Sequence, residues 1–596
     1  NIRDAVNNVS DLPIEVEERP MVLKIDSSFF PFLEIGFSSD TLPYAELRKK
    51  AKQFEQKLLA IPNVSKVQKY GYQEREIKIE LDPKKLNRYQ TSISAVSEAI
   101  RARNIRKTLG TLKDTSKEKD IVALAELESL KDVENIILRS TYEGQLLQIK
   151  DVARVTDGFE EATQLARMNG VNSILFLALK TENSDIIKLS SQVKKFIKQE
   201  NELHPNITIN YTRDMSRYLK NRYNVVKNNG ALGLLFLIIV LTLFLNVRVA
   251  FWVGLSIPII IYGALWLLTF FIPHIDIISM AAFIIVMGII VDDGIIISEN
   301  ILKHRELGDS PIDAAVNGVN DVFQPVLTTI LTTLVAFAPM FFMPGIIGKF
   351  IYVIPLVVTL ALTVSLVEVI IALPAHLVPS MALITPEKSS RAWFDHVKTK
   401  FNSLTQRLLH FRYAVVILYL LIFCFSIFFT IKHKDFVLFP SEQAENIFIE
   451  IELPIGTNLE TTSELTKKME TLLLDLPKNE LDAFTTKVGF KGKDEDSMSE
   501  SQRHAQIAIF LTPFTERHRT ADDIIDFLRK ESHTISGAIL SFSARGGGPP
   551  VGRPIEILIS HFDDNTREQL TNNIINDLKN TPGIFDIERD DIREKP

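Results

Sequence analysis

Five long stretches without a charged residue constrain the fold more than any other feature of this sequence. They are residues 228–247, 249–275, 322–348, 350–367 and 413–431. A helix crosses the apolar part of a bilayer with about 20 mostly apolar residues. The sequence therefore predicts five membrane-spanning helices between two large polar regions.

A sixth apolar run carries two adjacent acids. Residues 277–291 are uncharged, and the apolar pattern continues past Asp292 and Asp293 to Ile301. Its position between stronger spans favours a sixth membrane helix, for which 15 uncharged residues alone would be short. Six spans place the regions before 228 and after 431 on the same side of the membrane.

The connection between the last two spans, residues 387–412, is strongly basic. Its six Lys and Arg residues face only Glu387 and Asp395. Short basic connections stay in the cytoplasm, so both large polar regions are predicted to be extracytoplasmic.

Composition excludes several other classes of protein. The net charge of -6 gives no general attraction to nucleic acid, so no nucleic-acid partner is expected. The single cysteine, Cys424, excludes an intrachain disulfide or a multi-cysteine metal site. His274 and His376 have no second ligand at metal spacing, so neither a metal nor another cofactor is expected.

The polar regions repeat one pattern of strand, amphipathic helix and strand. It occurs at residues 32–81, at 446–511 and again at 554–588. Such units form small α+β sandwiches of the ferredoxin-like, split βαβ type. The predicted fold class is a multi-pass α-helical membrane protein with large extracytoplasmic α+β domains and six transmembrane helices.

Asp292 and Asp293 are the residues most indicative of function. Each costs about 2.5–3.5 kcal/mol in the middle of a span, so the pair needs a protein-lined or wet environment. Successive residues point about 100° apart on a helix, so both can face one interhelical cavity without touching. We interpret them as carboxyl groups that load and release protons across the membrane; a solvated helix end is the simpler alternative.

An intramembrane aspartyl protease also uses two membrane aspartates. In those enzymes the two carboxylates face each other and share a proton. Neighbours on one helix cannot do so, and the other apolar runs contain no aspartate. This alternative is disfavoured.

At this point the sequence resembles a known family. Met287–Asn300, the proline-interrupted stretch Pro325–Pro344 and Ile370–Leu377 look like the fourth to sixth helices of resistance-nodulation-division (RND) transporters. The adjacent aspartates resemble the hydrophobe/amphiphile efflux branch, that of the AcrB-like inner-membrane pumps. Asp82–Asn87 looks like the family's porter-domain signature, and Phe439-Pro440 would open the second porter half.

The resemblance implies a division into periplasmic and membrane parts. The expected parts are porter subdomains at 1–104, a docking-type subdomain at 105–157, a return to the porter at 158–227, the membrane helices at 228–432, a second porter subdomain at 433–552 and the start of a further one at 553–596.

The resemblance also implies the activity: a drug/proton antiporter in the bacterial inner membrane rather than an enzyme. It would use the proton gradient, without a cofactor, to export amphiphilic small molecules from the periplasm or the outer leaflet. Asp292 and Asp293 would be its proton relay, and Tyr70 and Phe490 would line the substrate path. The implied partners are membrane lipid, two further copies in a homotrimer, a periplasmic adaptor protein and an outer-membrane channel.

Three alternatives remain open. The chain could belong to an RND-type exporter of lipids or of metal ions, or be a truncated, non-transporting remnant that binds at the membrane. The family has twelve spans, whereas this sequence looks like a segment without the first span and without those after the seventh. The basic partner of the relay lies in that other half, so we expect residues 1–596 alone not to transport.

Overall fold

The computed structural model describes most of both polar regions and all six spans. Described are residues 5–6, 9, 31–103, 105–113, 118–125, 127, 129–140, 144–182, 184–244, 246–272, 275–382, 392–433, 442–491, 499–535, 537–545, 555–587 and 589. The chain forms two compact units, one of Asn1–Arg213, Ala444–Ala544 and Asn573–Pro596 and one of Asp214–Gln443 and Arg545–Asn572. We call them the extramembrane unit and the membrane unit.

The extramembrane unit contains both α-helices and β-strands. Its helices are Tyr44–Leu59, Pro83–Arg88, Ile93–Arg103, Leu130–Glu134, Ile149–Val152, Ile186–Leu203, Leu459–Leu474 and Ala521–Glu531, and Asp564–Lys579 runs across the division between the units. Its strands are Pro31–Ser38, Val64–Tyr70, Arg75–Leu81, Ile105–Lys113, Glu118–Ala125, Ile137–Ser140, Leu146–Gln148, Ala153–Phe159, Leu165–Met168, Val171–Asn172, Ile174–Lys180, Thr208–Thr212, Asn446–Glu452, Leu481–Lys491, Ser499–Leu511 and Ile539–Arg545.

A four-stranded antiparallel sheet forms the first core. Its order is Thr208–Thr212, Pro31–Ser38, Ile174–Lys180, Val64–Tyr70. Both central strands are buried along their whole length, which explains their nearly continuous apolar sequence. The helices Tyr44–Leu59 and Ile186–Leu203 meet through the rings of Phe54 and Phe196, whose centroids are 5.3 Å apart.

A six-stranded sheet joins segments that precede the membrane helices in the sequence to segments that follow them. Its order is Val171–Asn172, Leu165–Met168, Leu481–Lys491, Ser499–Leu511, Asn446–Glu452, Ile539–Arg545. Met168 is in register with Thr485, and Leu165 with Val488. One sheet therefore depends on residues that are more than 300 positions apart.

Two of the three predicted repeats are confirmed, and the strands of the third are wrong. The helix of the third copy is present as Asp564–Lys579, but residues 555–560 and 584–587 are not strands. Leu558 is 94% exposed. A strand is stabilised by hydrogen bonds to a neighbour, and these segments pair with no strand in the described chain.

Asp82-Pro83 begins a short helix for a clear local reason. The Asp82 carboxylate accepts hydrogen bonds from the backbone N–H groups of Lys84 and Lys85, at 2.9 and 3.3 Å. Pro83 occupies the first helical position, where its missing N–H costs nothing.

The six predicted membrane helices are present, which confirms the fold class. We number them first to sixth: Met215–Leu243, Val247–Leu268, Ile278–Glu306, Pro311–Phe342, Ile347–Met381 and Arg412–His433. The second, third and fifth spans supply most of the buried core of the membrane unit. Of the basic connection 387–412, residues 387–391 lie outside the described residues, and Ala392–His410 is a helix.

Two glycines allow these helices to pack closely. A Cβ atom on Gly263 of the second span would lie 2.9 Å from Val364 Cγ1 of the fifth. A Cβ atom on Gly318 of the fourth span would lie 2.7 Å from Ile301 Cα of the third. A larger residue at either position would push the two helices apart.

Candidate functional site

The third span is one continuous helix, fixed at its start by a reciprocal cap. The Asp276 carboxylate accepts from the Ser279 backbone N–H at 2.6 Å, and Ser279 Oγ accepts from the Asp276 N–H at 2.9 Å. This capping box satisfies two donors that a helix start leaves free. The helix then runs from Ile277 to Glu306.

Asp292 and Asp293 lie at the middle of this helix but in different surroundings. Asp293 is 3% exposed, whereas Asp292 lies on the exposed surface of the membrane unit. Beside Asp293, a Cβ atom on Gly294 would be 3.5 Å from Val253 Cγ1 and 3.9 Å from Leu373 Cδ2. The buried carboxyl group is therefore next to the contact of three spans.

The C-terminal end of the third span is tied to its neighbours by polar contacts. The Arg305 guanidinium donates to the Met381 carbonyl at 3.2 Å and to the Asp309 carbonyl at 2.9 Å. His304 lies between two carboxylates, 2.9 Å from Asp309 and 2.9 Å from Asp321.

These contacts also act on the loop that follows the third span. Hydrogen bonds from Asn317 and from His304 hold the pKa of the Asp309 carboxyl group below its ordinary value of 3.8. Contacts to the fourth and fifth spans thus fix the end of the helix that carries the acidic pair.

Glu368 is a third intramembrane acid that sequence reasoning missed. The uncharged run ends at Val367, but the fifth span continues through Glu368 to Met381. Glu368 is 5% exposed and lies in a π-helical turn, Glu368–Ala372. The apolar pattern resumes directly after it in the sequence, which is the signal that could have found it.

Tyr70 and Phe490 contact each other in the extramembrane unit. Their ring centroids are 5.6 Å apart and the ring planes are nearly perpendicular, at 88°. Both are buried, at 6% and 5% exposure, in a cluster that includes Met168 and Leu177. Residues 492–498, which follow the strand that contains Phe490, lie outside the described residues.

A buried lysine completes this aromatic contact. Lys487 Nζ lies 4.0 Å from the centroid of the Tyr70 ring and 3.3 Å from Glu34 Oε1. A cation over an aromatic face is attracted by the ring's quadrupole. The contact thus joins the four-stranded sheet, through Glu34 and Tyr70, to the six-stranded sheet.

As for metal binding, no group of three or more His, Cys, Asp or Glu residues suitable for a metal ion occurs among the described residues.

Comparison with known proteins gives a family match along the whole chain. Residues 1–596 match the sequence model of the AcrB/AcrD/AcrF family. A similar protein, Multidrug resistance protein MdtC of Yersinia enterocolitica, is 24% identical over 91% of this chain and 53% of its own length.

Two further relatives match shorter parts. Multidrug resistance protein MdtC of Erwinia tasmaniensis is 26% identical over 59% of this chain and 34% of its own length. Swarming motility protein SwrC of Bacillus subtilis is 24% identical over 62% of this chain and 39% of its own length.

The chain spans about half the length of the Yersinia enterocolitica relative. The family match nevertheless covers every residue, and the six apolar helices agree with it. The chain therefore belongs to the AcrB/AcrD/AcrF family of RND transporters and is a multi-pass protein of the bacterial inner membrane, as its sequence predicted.

Proposed function

We propose that this chain works in a proton-motive-force-driven efflux transporter, a drug/proton antiporter that exports amphiphilic compounds from the periplasm or the outer leaflet of the inner membrane. The observation that carries the proposal is the position of Asp292 and Asp293. They lie at the middle of a membrane-spanning helix, with Asp293 buried next to the contact of the second, third and fifth spans. Multidrug resistance is what the names of two of the relatives state.

The physical basis is the coupling of protonation to helix packing. An ionised carboxylate in a low-dielectric site is costly, so gain or loss of a proton at Asp293 changes the preferred packing of the three spans around it. The membrane potential contributes about 2.3 kcal/mol per charge per 100 mV, which adds to the pH gradient. Asp292, on the exposed side of the same helix, is the proposed partner in the relay.

The remaining roles follow from the family. The two large polar regions are proposed to form periplasmic porter subdomains with the division predicted above, and Tyr70 and Phe490 to lie along the substrate path. The transporter is proposed to be a homotrimer with a periplasmic adaptor protein and an outer-membrane channel, and to need no cofactor other than the proton gradient.

Single replacements at the acidic pair test the proposal. Asp292→Asn and Asp293→Asn each remove one titratable group and keep the side-chain volume. In the complete transporter, reconstituted in liposomes, each is expected to abolish proton-coupled dye efflux and to leave membrane insertion intact.

Asp276→Asn is a matched control. It removes a carboxylate from the N-terminal cap of the same helix, a position where asparagine caps as well as aspartate. Its efflux should equal that of the unmodified protein. Unchanged efflux after replacement of both Asp292 and Asp293 would contradict the relay.

The choice of cargo in the same assay distinguishes the alternatives. Export of a fluorescent amphiphile supports the proposal, whereas export limited to a labelled lipid or to metal ions favours the other RND branches. A complete transporter that binds these compounds but moves none of them would favour the non-transporting remnant.

A further inference from the structure

Glu368 is buried in the fifth span without a visible partner. Its Oε2 atom is inaccessible to solvent and has no hydrogen-bond partner in the described chain. Ser365, one turn earlier and fully buried, has an Oγ atom in the same condition. By contrast, the hydroxyl groups of Thr359 and Thr363 donate to carbonyls four residues back. The fifth span thus has one face on which polar side chains are left unsatisfied.

The helix widens at this acid. In the turn Glu368–Ala372 the Leu373 N–H bonds to the Glu368 carbonyl, five residues back. Pro374 follows directly and has no N–H, and its ring crowds the turn before it, which accounts for the irregularity. Single π-helical turns occur frequently at functional sites. The backbone hydrogen bond places Leu373 one turn after Glu368 along the helix.

This part of the fifth span lies next to the helix that carries the acidic pair. Leu373 is the residue that a Cβ atom on Gly294 would approach to 3.9 Å. The C-terminal ends of the two helices are joined by the hydrogen bond from Arg305 to the Met381 carbonyl. The third and fifth spans therefore lie side by side and run in the same direction.

Counting residues back from the hydrogen bond between Arg305 and Met381 places Asp293 and Glu368 at a similar depth in the membrane unit. Asp293 lies 12 residues before Arg305, and Glu368 lies 13 residues before Met381. At a rise of about 1.5 Å per residue, the two positions are within about one helical turn of the same level.

The surroundings of Glu368 offer it no counter-charge. Its own span contains three other charged or titratable residues, Lys349, Tyr352 and His376, and the second span contains Arg248 and Tyr262. Those of the third span are Asp292, Asp293, Glu299, Lys303, His304, Arg305 and Glu306, and those of the fourth are Asp313 and Asp321. In the described chain none of them forms a hydrogen bond or ion pair with Glu368. Its neighbour Val369 is fully buried, and Val364 packs against Gly263. An ionised carboxylate is costly in such a place, so these surroundings favour the neutral, protonated form of Glu368.

We propose that Glu368 is a third proton-carrying carboxyl group of the transporter, loaded in one conformation and emptied in another, beside the pair Asp292 and Asp293. In loading, a carboxylate oxygen accepts one proton that enters from the periplasmic side. In release, that O–H bond breaks and the proton leaves toward the cytoplasm, with no other reactant. This inference rests on the proposed function.

The test uses the complete transporter in liposomes, with a pH-sensitive dye inside. Glu368→Gln keeps the volume and the neutral charge of the protonated acid, and Glu368→Asp keeps a carboxyl group. We expect Glu368→Gln to fold with an unchanged melting temperature and to reduce substrate-driven proton flux at least tenfold. Glu368→Asp should retain flux with a displaced pH profile.

Two controls separate this inference from the proposed function. Glu299→Gln, which removes an exposed acid of the third span, should change neither flux nor pH profile. Asp293→Asn should abolish flux. If it does so while Glu368→Gln keeps the flux and pH profile of the unmodified protein, the inference is overturned and the proposed function stands.

Infrared spectroscopy gives a readout that does not depend on transport. The band of protonated carboxyl groups should lose intensity in Glu368→Gln at neutral pH and remain in Glu299→Gln. An unchanged band in Glu368→Gln overturns the inference even if the unmodified protein moves no protons. If Glu368→Gln does not fold, the band in Glu368→Asp decides in its place: a shifted titration supports the inference and an unchanged one overturns it. A flux that requires sodium ions instead of a pH gradient also overturns it.

Discussion

Arg167 and Glu470 form a buried ion pair across 303 positions of the sequence, with Arg167 Nε 2.8 Å from Glu470 Oε1. The Arg167 guanidinium also donates to Ser463 Oγ at 2.8 Å. The pair attaches the helix Leu459–Leu474 to the strand Leu165–Met168. It thus links a segment before the membrane helices to one after them.

Removal of either partner should destabilise the extramembrane unit. Glu470→Gln or Arg167→Met leaves one buried charge unpaired, which typically costs about 3–5 kcal/mol. Thermal unfolding in detergent should show a clear fall in the transition temperature. The double variant Arg167→Met/Glu470→Leu leaves no charge behind and should be more stable than either single variant; single variants as stable as the unmodified protein would contradict this account.

Gly318→Ala should weaken the contact between the third and fourth spans. The new methyl group would lie 2.7 Å from Ile301 Cα, so backbone must move, and overpacking typically costs about 1–3 kcal/mol. Gly288→Ala is the matched control, because a Cβ atom there has no neighbour within 4 Å. Melting temperatures in detergent should fall for the first and hold or rise for the second. Equal effects of the two substitutions would argue against close packing at Gly318.

The contact of Tyr70 with Phe490 should depend on the ring rather than the hydroxyl group. Tyr70→Phe keeps the edge-to-face contact and the ring under Lys487, so stability should change little. Tyr70→Leu loses both interactions, which together are worth about 1–3 kcal/mol. Melting temperature and dye efflux should be measured for both variants. A Tyr70→Leu transporter that keeps its stability but exports different compounds would support the substrate-path role; one that only loses stability would support a purely structural role.

The contribution of Asp309 to stability should disappear in acid. Its pKa is lowered by Asn317 and His304, so its ionised form is bound more strongly in the folded protein than in the unfolded chain. The stabilisation is present above the ordinary value of 3.8 and is lost as the pH falls through the lower folded-state pKa. The difference in melting temperature between the unmodified protein and Asp309→Asn should therefore shrink below about pH 4. A difference that stays constant from pH 7 to pH 3 would contradict this.

The sequence predicted the membrane helices well because each signal is local. An apolar run reports its own span, and the fold bears out all six. The fifth was predicted too short because Glu368 interrupts the uncharged run. A rule that stops at any charge cannot distinguish a helix end from a buried acid within the span.

Pairing between distant segments could not be read in the same way. The strands expected within 554–588 have suitable residues, but strand formation depends on a neighbour that the local sequence does not specify. The same holds for the contacts of Arg167 with Glu470 and of Tyr70 with Phe490. Both depend on a sheet that joins segments before the membrane helices in the sequence to segments after them. The family resemblance pointed to both aromatic residues for the substrate path but did not imply that they touch each other.

The mixed origin of the six-stranded sheet has a consequence for how the protein is made. Leu165–Met168 leaves the ribosome more than 300 residues before its neighbour Leu481–Lys491. At about 5–20 residues per second, that early strand waits on the order of 15–60 s for its partner while six helices are inserted into the lipid. During this interval the edge that Leu481–Lys491 later covers has no native partner, and an uncovered strand edge is a template for pairing with other chains.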